Sequence, residues 1–166
     1  MATLRKAKKT RKAKPLVAID FAVIDAPAKR VVVEESELDA LEKAYGELPP
    51  RYREFMSRFG PAEYFRTLYV HPLARARKTT EELRSFFASN IGLWENASRL
   101  LAKGEETKLV VLGNGVAGPM NGGWLVFVSG SPERLLVLPR PQIGCEIVEA
   151  GPTFAHAIAP FFEEDD

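Results

Sequence analysis

The stretch Leu48-Pro49-Pro50-Arg51-Tyr52-Arg53-Glu54-Phe55-Met56-Ser57-Arg58-Phe59-Gly60 decides how this chain is read. Pro50 suits a first helical position, where no amide hydrogen is needed and its fixed φ is already helical. Tyr52, Phe55, Met56 and Phe59 then recur every three to four residues and give the helix one apolar face. Gly60 supplies a left-handed stop, and Pro61 blocks continuation. Upstream, Ser36 with Asp39 three residues later has the form of a helix start, and Leu38, Leu41, Tyr45 and Leu48 make a matching stripe. The two faces predict a packed helical corner.

Outward from that corner, Leu16 to Ile24 and Arg30 to Glu34 are rich in β-formers and predict one or two strands before the helices. Phe65 to Val70 reads as a strand stopped by Pro72. Thr79 with Glu82 starts the longest helical pattern, in which Leu83, Phe87, Ile91, Trp94, Ala97 and Leu101 line one face towards Gly104; Gly92 is a point where it bends or splits. Four strand-like segments follow, Leu109 to Leu112, Trp124 to Val128, Arg134 to Leu138 and Cys145 to Val148. Their connections are too short for parallel crossovers, which predicts an antiparallel meander. Gly130-Ser131-Pro132-Glu133 reads as the turn between two of them, and a last helix from Thr153 buries Phe154, Ile158 and Phe161. The expected class is α+β, with a mostly antiparallel sheet and helices packed against it.

The 166 residues, 46% of them hydrophobic, suit one globular domain over residues 15–166, preceded by a basic tail over 1–14. That tail holds Arg5, Lys6, Lys8, Lys9, Arg11, Lys12 and Lys14 and no acid, and has too few apolar side chains to offset the entropy of ordering. The net charge of +1 therefore conceals a body of 16 bases and 22 acids, at −6. Residues 51–78 carry seven bases against Glu54 and Glu63, so the charge is unevenly spread. No apolar run approaches the ~18 residues of a membrane span. The single Cys145 cannot form an intrachain disulfide, and no secretory leader is recognisable, so a reducing cytoplasm is the expected compartment.

The Leu-Pro-Pro-x-Tyr-x-x-Phe run after a leucine-rich helix resembles the signature of the SUKH superfamily, which includes fungal cell-wall-assembly regulators and many bacterial toxin-immunity proteins. The resemblance covers about residues 34–162. It extends to a Gly-rich turn before an aromatic strand, here Gly113-Asn114-Gly115-Val116-Ala117-Gly118 up to Trp124, and to a closing helix with Phe154. Many members carry an acidic residue in that turn, whereas none stands between Gly113 and Gly123 here. The resemblance implies helices on one side of a mostly antiparallel sheet, and a protein that binds and neutralises a cognate toxin inside the producing cell. A regulatory scaffold of the cell-wall-assembly type is the alternative it offers.

Chemistry-bearing motifs are sparse. Gly113, Gly115 and Gly118 satisfy G-x-G-x-x-G, yet Pro119 and another strand follow where a dinucleotide site needs a helix. His71 and His156 lack the spacing that would supply an orienting partner, and two histidines with one cysteine fall short of a zinc ligand set. Cys145 reads as a small apolar filler. Neither catalysis nor a cofactor is expected. Binding is expected from exposed loops instead: Glu63 and Tyr64 in the segment after Pro61, Met120 and Asn121 in the Gly-rich loop, and the acidic end Glu163, Glu164, Asp165 and Asp166. The basic tail is an alternative site for nucleic acid, through counterion release at phosphates. An acidic body would steer a basic protein partner.

Overall fold

A computed structural model describes residues 17–162. The basic tail (Arg5, Lys6, Lys8, Lys9, Arg11, Lys12, Lys14) and the acidic end (Glu163, Glu164, Asp165, Asp166) lie outside the described residues. The fold is α+β. Six strands form one antiparallel sheet in sequence order: β1 (Ala62–Tyr64), β2 (Leu68–Val70), β3 (Leu109–Gly115), β4 (Trp124–Val128), β5 (Ser131–Leu138) and β6 (Val148–Glu149). The helices are α1 (Glu35–Tyr45), α2 (Tyr52–Arg58), α3 (Leu73–Asn90), α4 (Ala97–Leu100) and α5 (Phe154–Ile158).

The sheet is covered on both faces, not on the single face that the resemblance implies. Val110, Leu112, Leu125, Phe127, Leu135 and Val137 point to a core with α1, α2 and α5, while Leu109, Val111, Val126, Val128, Leu136 and Leu138 point to a second core with α3, α4 and Trp94. The alternation follows from the two-residue period of a strand. It breaks at a bulge between Val111 and Gly113, where Leu112 and Gly113 fall on the first face in succession and Asn114 returns to the second.

The corner between α1 and α2 forms as expected, with different caps. Glu34 and Glu37 make the capping box of α1, displacing the predicted Ser36–Asp39 pair. Pro50 is not the first helical residue. The Tyr52 amide donates to the Pro49 carbonyl at 3.1 Å, and Arg51 closes this turn at φ 71°, a left-handed conformation usually given to glycine. The Arg51 guanidinium lies 4.3 Å from the Phe21 ring centroid, and its Nε donates to Glu54 at 2.8 Å. Gly60, at φ 78°, ends α2, and a Cβ there would stand 2.4 Å from the Val31 carbonyl oxygen.

Several expected boundaries are corrected. Residues 17–34 contain no strand; Phe21–Val23 is a 3₁₀ turn, and the apolar pattern there serves packing, with Phe21 edge-on to Phe55 and Phe59 at 5.7 and 6.0 Å. Phe65 to Val70 is the turn and second strand of the β1–β2 hairpin. α3 begins at Leu73, six residues before Thr79, because Pro72 fixes an extended entry and its carbonyl accepts the Ala76 amide at 2.9 Å. The long helical pattern does split near Gly92, into a 3₁₀ turn (Ile91–Leu93) and α4. The β4–β5 turn is at Ser129-Gly130, with Pro132 inside the strand at a register irregularity that tolerates its missing N–H. Cys145 precedes β6 and bridges to Trp94, which carries Cys145 and Ile147 into the second core.

Candidate functional site

α3 leaves one end of its sheet face open. Cross-strand register places Glu63 opposite Tyr69, Tyr69 opposite Asn114, and Asn114 opposite Trp124, so these four side chains share one face across β1 to β4. Tyr69, Asn114 and Trp124 are half-buried and Glu63 is exposed. One flank of α3 borders the row. The Arg75 guanidinium sits 5.3 Å from the Tyr69 ring centroid, and Phe86, 40% exposed, lies 6.2 Å from Trp124. The spacing of eleven residues between Arg75 and Phe86 is just over three helical turns, which puts both on the same flank.

The strip is held from beneath. His71, 1% exposed, contacts Asn114 Oδ1 through Nε2 at 2.5 Å and lies 5.1 Å from the Tyr69 ring. An amide oxygen only accepts, so the ring proton is on Nε2, and Nδ1 has no partner among the described residues. Burial, aided by Arg75 and opposed by the Asn114 hydrogen bond, holds the His71 pKa below its ordinary value and keeps the ring neutral. Its role is to orient Asn114.

The Gly-rich loop closes the strip's far side by packing, without a phosphate cradle. Gly113 and Gly115 lie within β3, which pairs antiparallel with β4, and a Cβ on Gly115 would stand 1.9 Å from the Met120 carbonyl oxygen. That near-contact brings Asn121 beside Gly115. Of the expected binding residues, Glu63 and Asn121 are exposed next to the strip. Tyr64 is not a surface residue: it is 4% exposed, packs against Phe55 at 5.1 Å and donates its hydroxyl to the Gly60 carbonyl. Met120 is half-buried against the first core, so its side chain serves the loop's packing.

Cys145 and His156 both make local contacts away from the strip. Cys145 is buried with its Sγ 3.3 Å from the Leu93 carbonyl oxygen. His156 Nδ1 lies 2.7 Å from Thr153 Oγ1, which also caps α5 by accepting the His156 amide. Among the described residues no group of three His, Cys, Asp or Glu side chains is placed to hold a metal, and no helix is long and apolar enough to cross a membrane. No family model matches the chain, and no curated protein matches it.

Chemically, the strip offers aromatic faces, an amide, a guanidinium and, at its edge, the Glu63 carboxylate. Tyr, Trp, Phe and Arg are over-represented in protein interfaces, the aromatics because they bury large area at a small cost in side-chain freedom and Arg because its planar fork donates several hydrogen bonds and stacks on rings. Sequence reading missed Tyr69, Trp124, Phe86 and Arg75, since only the strand register brings them together.

Proposed function

We propose that this chain is a non-enzymatic protein-binding domain of the immunity type, which neutralises a cognate toxin domain by occupying it. The observation that carries the binding reading is the Tyr69–Asn114–Trp124 row with Phe86 and Arg75, an aromatic surface on a rigid sheet. The resemblance of the Leu48–Gly60 corner supports the immunity assignment.

Charge supports a basic partner. Residues 34–47 carry Glu34, Glu35, Glu37, Asp39, Glu42 and Glu47 against Lys43 alone. Arg53 binds Glu35, Asp39 and Glu42 at 2.8–2.9 Å and offsets one of these charges. A surface of this sign speeds encounter with a cationic protein.

The test is a stoichiometric complex with a toxin-like product of a neighbouring gene, measured by calorimetry. Tyr69→Ala and Phe86→Ala should each weaken it by about thirtyfold, the ~2 kcal/mol of an interface hot spot, with the far-ultraviolet spectrum unchanged. A complex indifferent to both substitutions would remove the strip from the interface, and failure to find any such complex would remove the immunity reading. Retention on nucleic acid that collapses with salt and with deletion of residues 1–14 would favour the tail reading instead.

A further inference from the structure

β5 outruns its neighbour. It spans Ser131–Leu138, but β6 pairs only with Leu136 and Val137. The chain then turns off the sheet, with the Ala150 and Gly151 amides both donating to the Leu135 carbonyl at 2.8 and 3.0 Å. The step leaves a cavity of about 290 Å³. Leu100, Leu135 and Pro152 supply its apolar lining, and Glu133 and Glu149 stand at it exposed, neither of them in an ion pair among the described residues. The third charged residue of the lining is already committed. Arg134 donates through Nη1 to Glu105 at 2.6 Å and through Nη2 to the Leu100 carbonyl at 2.6 Å.

We infer that this cavity takes one lysine or arginine side chain presented from the surface of a partner protein. Such a side chain has an alkyl stem, which loses water against leucine and proline, and a cationic head, which reaches the carboxylates at the mouth. An anion meets two like charges there, and a purely apolar group gains the floor but leaves both carboxylates unanswered. Only the source of the cationic side chain rests on the protein-binding reading above; the pocket's own preference does not.

The experiment titrates the isotope-labelled full chain with N-acetyl-lysine amide, N-acetyl-arginine amide, N-acetyl-norleucine amide and N-acetyl-glutamate, following amide resonances. The cationic amides should shift Arg134, Leu135 and Gly151 with millimolar midpoints, and in the double variant E133Q/E149Q the midpoint should rise at least fivefold. N-acetyl-norleucine amide and N-acetyl-glutamate should leave those resonances unmoved over the same range. Equal shifts from all four compounds, no shifts from the cationic pair, or midpoints unchanged by E133Q/E149Q would each overturn the assignment. No toxin is involved, so failure here leaves the aromatic strip untouched, and a missing toxin complex leaves this titration intact.

Discussion

Replacing Tyr52 by Phe should stabilise the protein, although Tyr52 belongs to the Leu-Pro-Pro-x-Tyr-x-x-Phe run that most distinguishes the sequence. Its side chain is fully buried, 0% exposed, and its hydroxyl has no hydrogen-bond partner among the described residues. Burial pushes the phenol's pKa well above its ordinary 10.0, the electrostatic mark of the same desolvation. In the unfolded chain that hydroxyl is hydrated, so folding strips it of water with nothing in return, at about 1–3 kcal/mol. Tyr52→Phe removes the oxygen and keeps the ring, including its edge-on contact with Phe154 at 5.1 Å. The void left is smaller than a water molecule and forfeits a few tenths of a kcal/mol in dispersion. The net expectation is a gain of about 1 kcal/mol, or a rise in Tm of roughly 2–4 °C for a chain of this size. Urea unfolding should show a higher midpoint at unchanged slope. A loss of about 0.5 kcal/mol or more, the ordinary result for a hydrogen-bonded tyrosine, would refute the reasoning and mean that the hydroxyl has a partner.

Two further outcomes follow from buried polar groups. Because the His71 pKa is depressed in the folded state, the unfolded chain binds the proton more readily below the ordinary value of 6.5; stability should be complete above that pH and fall below it. Thermal melts at about pH 7.5 and 5.5 should show a smaller acid-induced drop in His71→Gln than in the parent, and equal drops would show that His71 is not the group responsible. Asn96 donates from Nδ2 to the Ile147 carbonyl at 2.8 Å and accepts the Ile147 amide on Oδ1 at 2.7 Å, with 8% exposure. Asn96→Ala strands both backbone groups and should cost about 2–4 kcal/mol in chemical denaturation; a cost below about 1 kcal/mol would mean that water replaces the amide.

The parts of the fold legible in the sequence are those where local pattern and tertiary role coincide. The aromatic spacing from Tyr52 to Phe59 describes the face that is buried, and the unbroken apolar run from Trp124 to Val128 matches a strand buried on both faces. The pattern failed where the tertiary context supplied the reason. Val31 and Val32 have strand composition but are more than half exposed, and no neighbouring strand pairs with them. The β1–β2 hairpin was hidden because Phe65 and Arg66 take its positive-φ turn positions, at 54° and 59°, where glycine or asparagine would have signalled it. The aromatic strip was hidden for a different reason. Tyr69 and Trp124 are fifty-five positions apart, and their adjacency depends on two strand registers that no local window contains. Exposure was misjudged at Tyr64 because a three-residue strand shows too little alternation to tell which side chain turns inward.

The extra residue at Leu112 puts β3 out of phase with itself. Before it, odd-numbered positions look towards α3; after it, Asn114 does, and so does everything aligned with Asn114. Deleting this one leucine would remove the bulge and its local bend yet leave Asn114 on the same face, because Gly113 would still oppose Leu125 and Asn114 would still oppose Trp124. The insertion thus adds a leucine to the first core without disturbing the cross-strand partners beyond it, and one continuous strand lines an oily interior at one end and a wettable aromatic platform at the other.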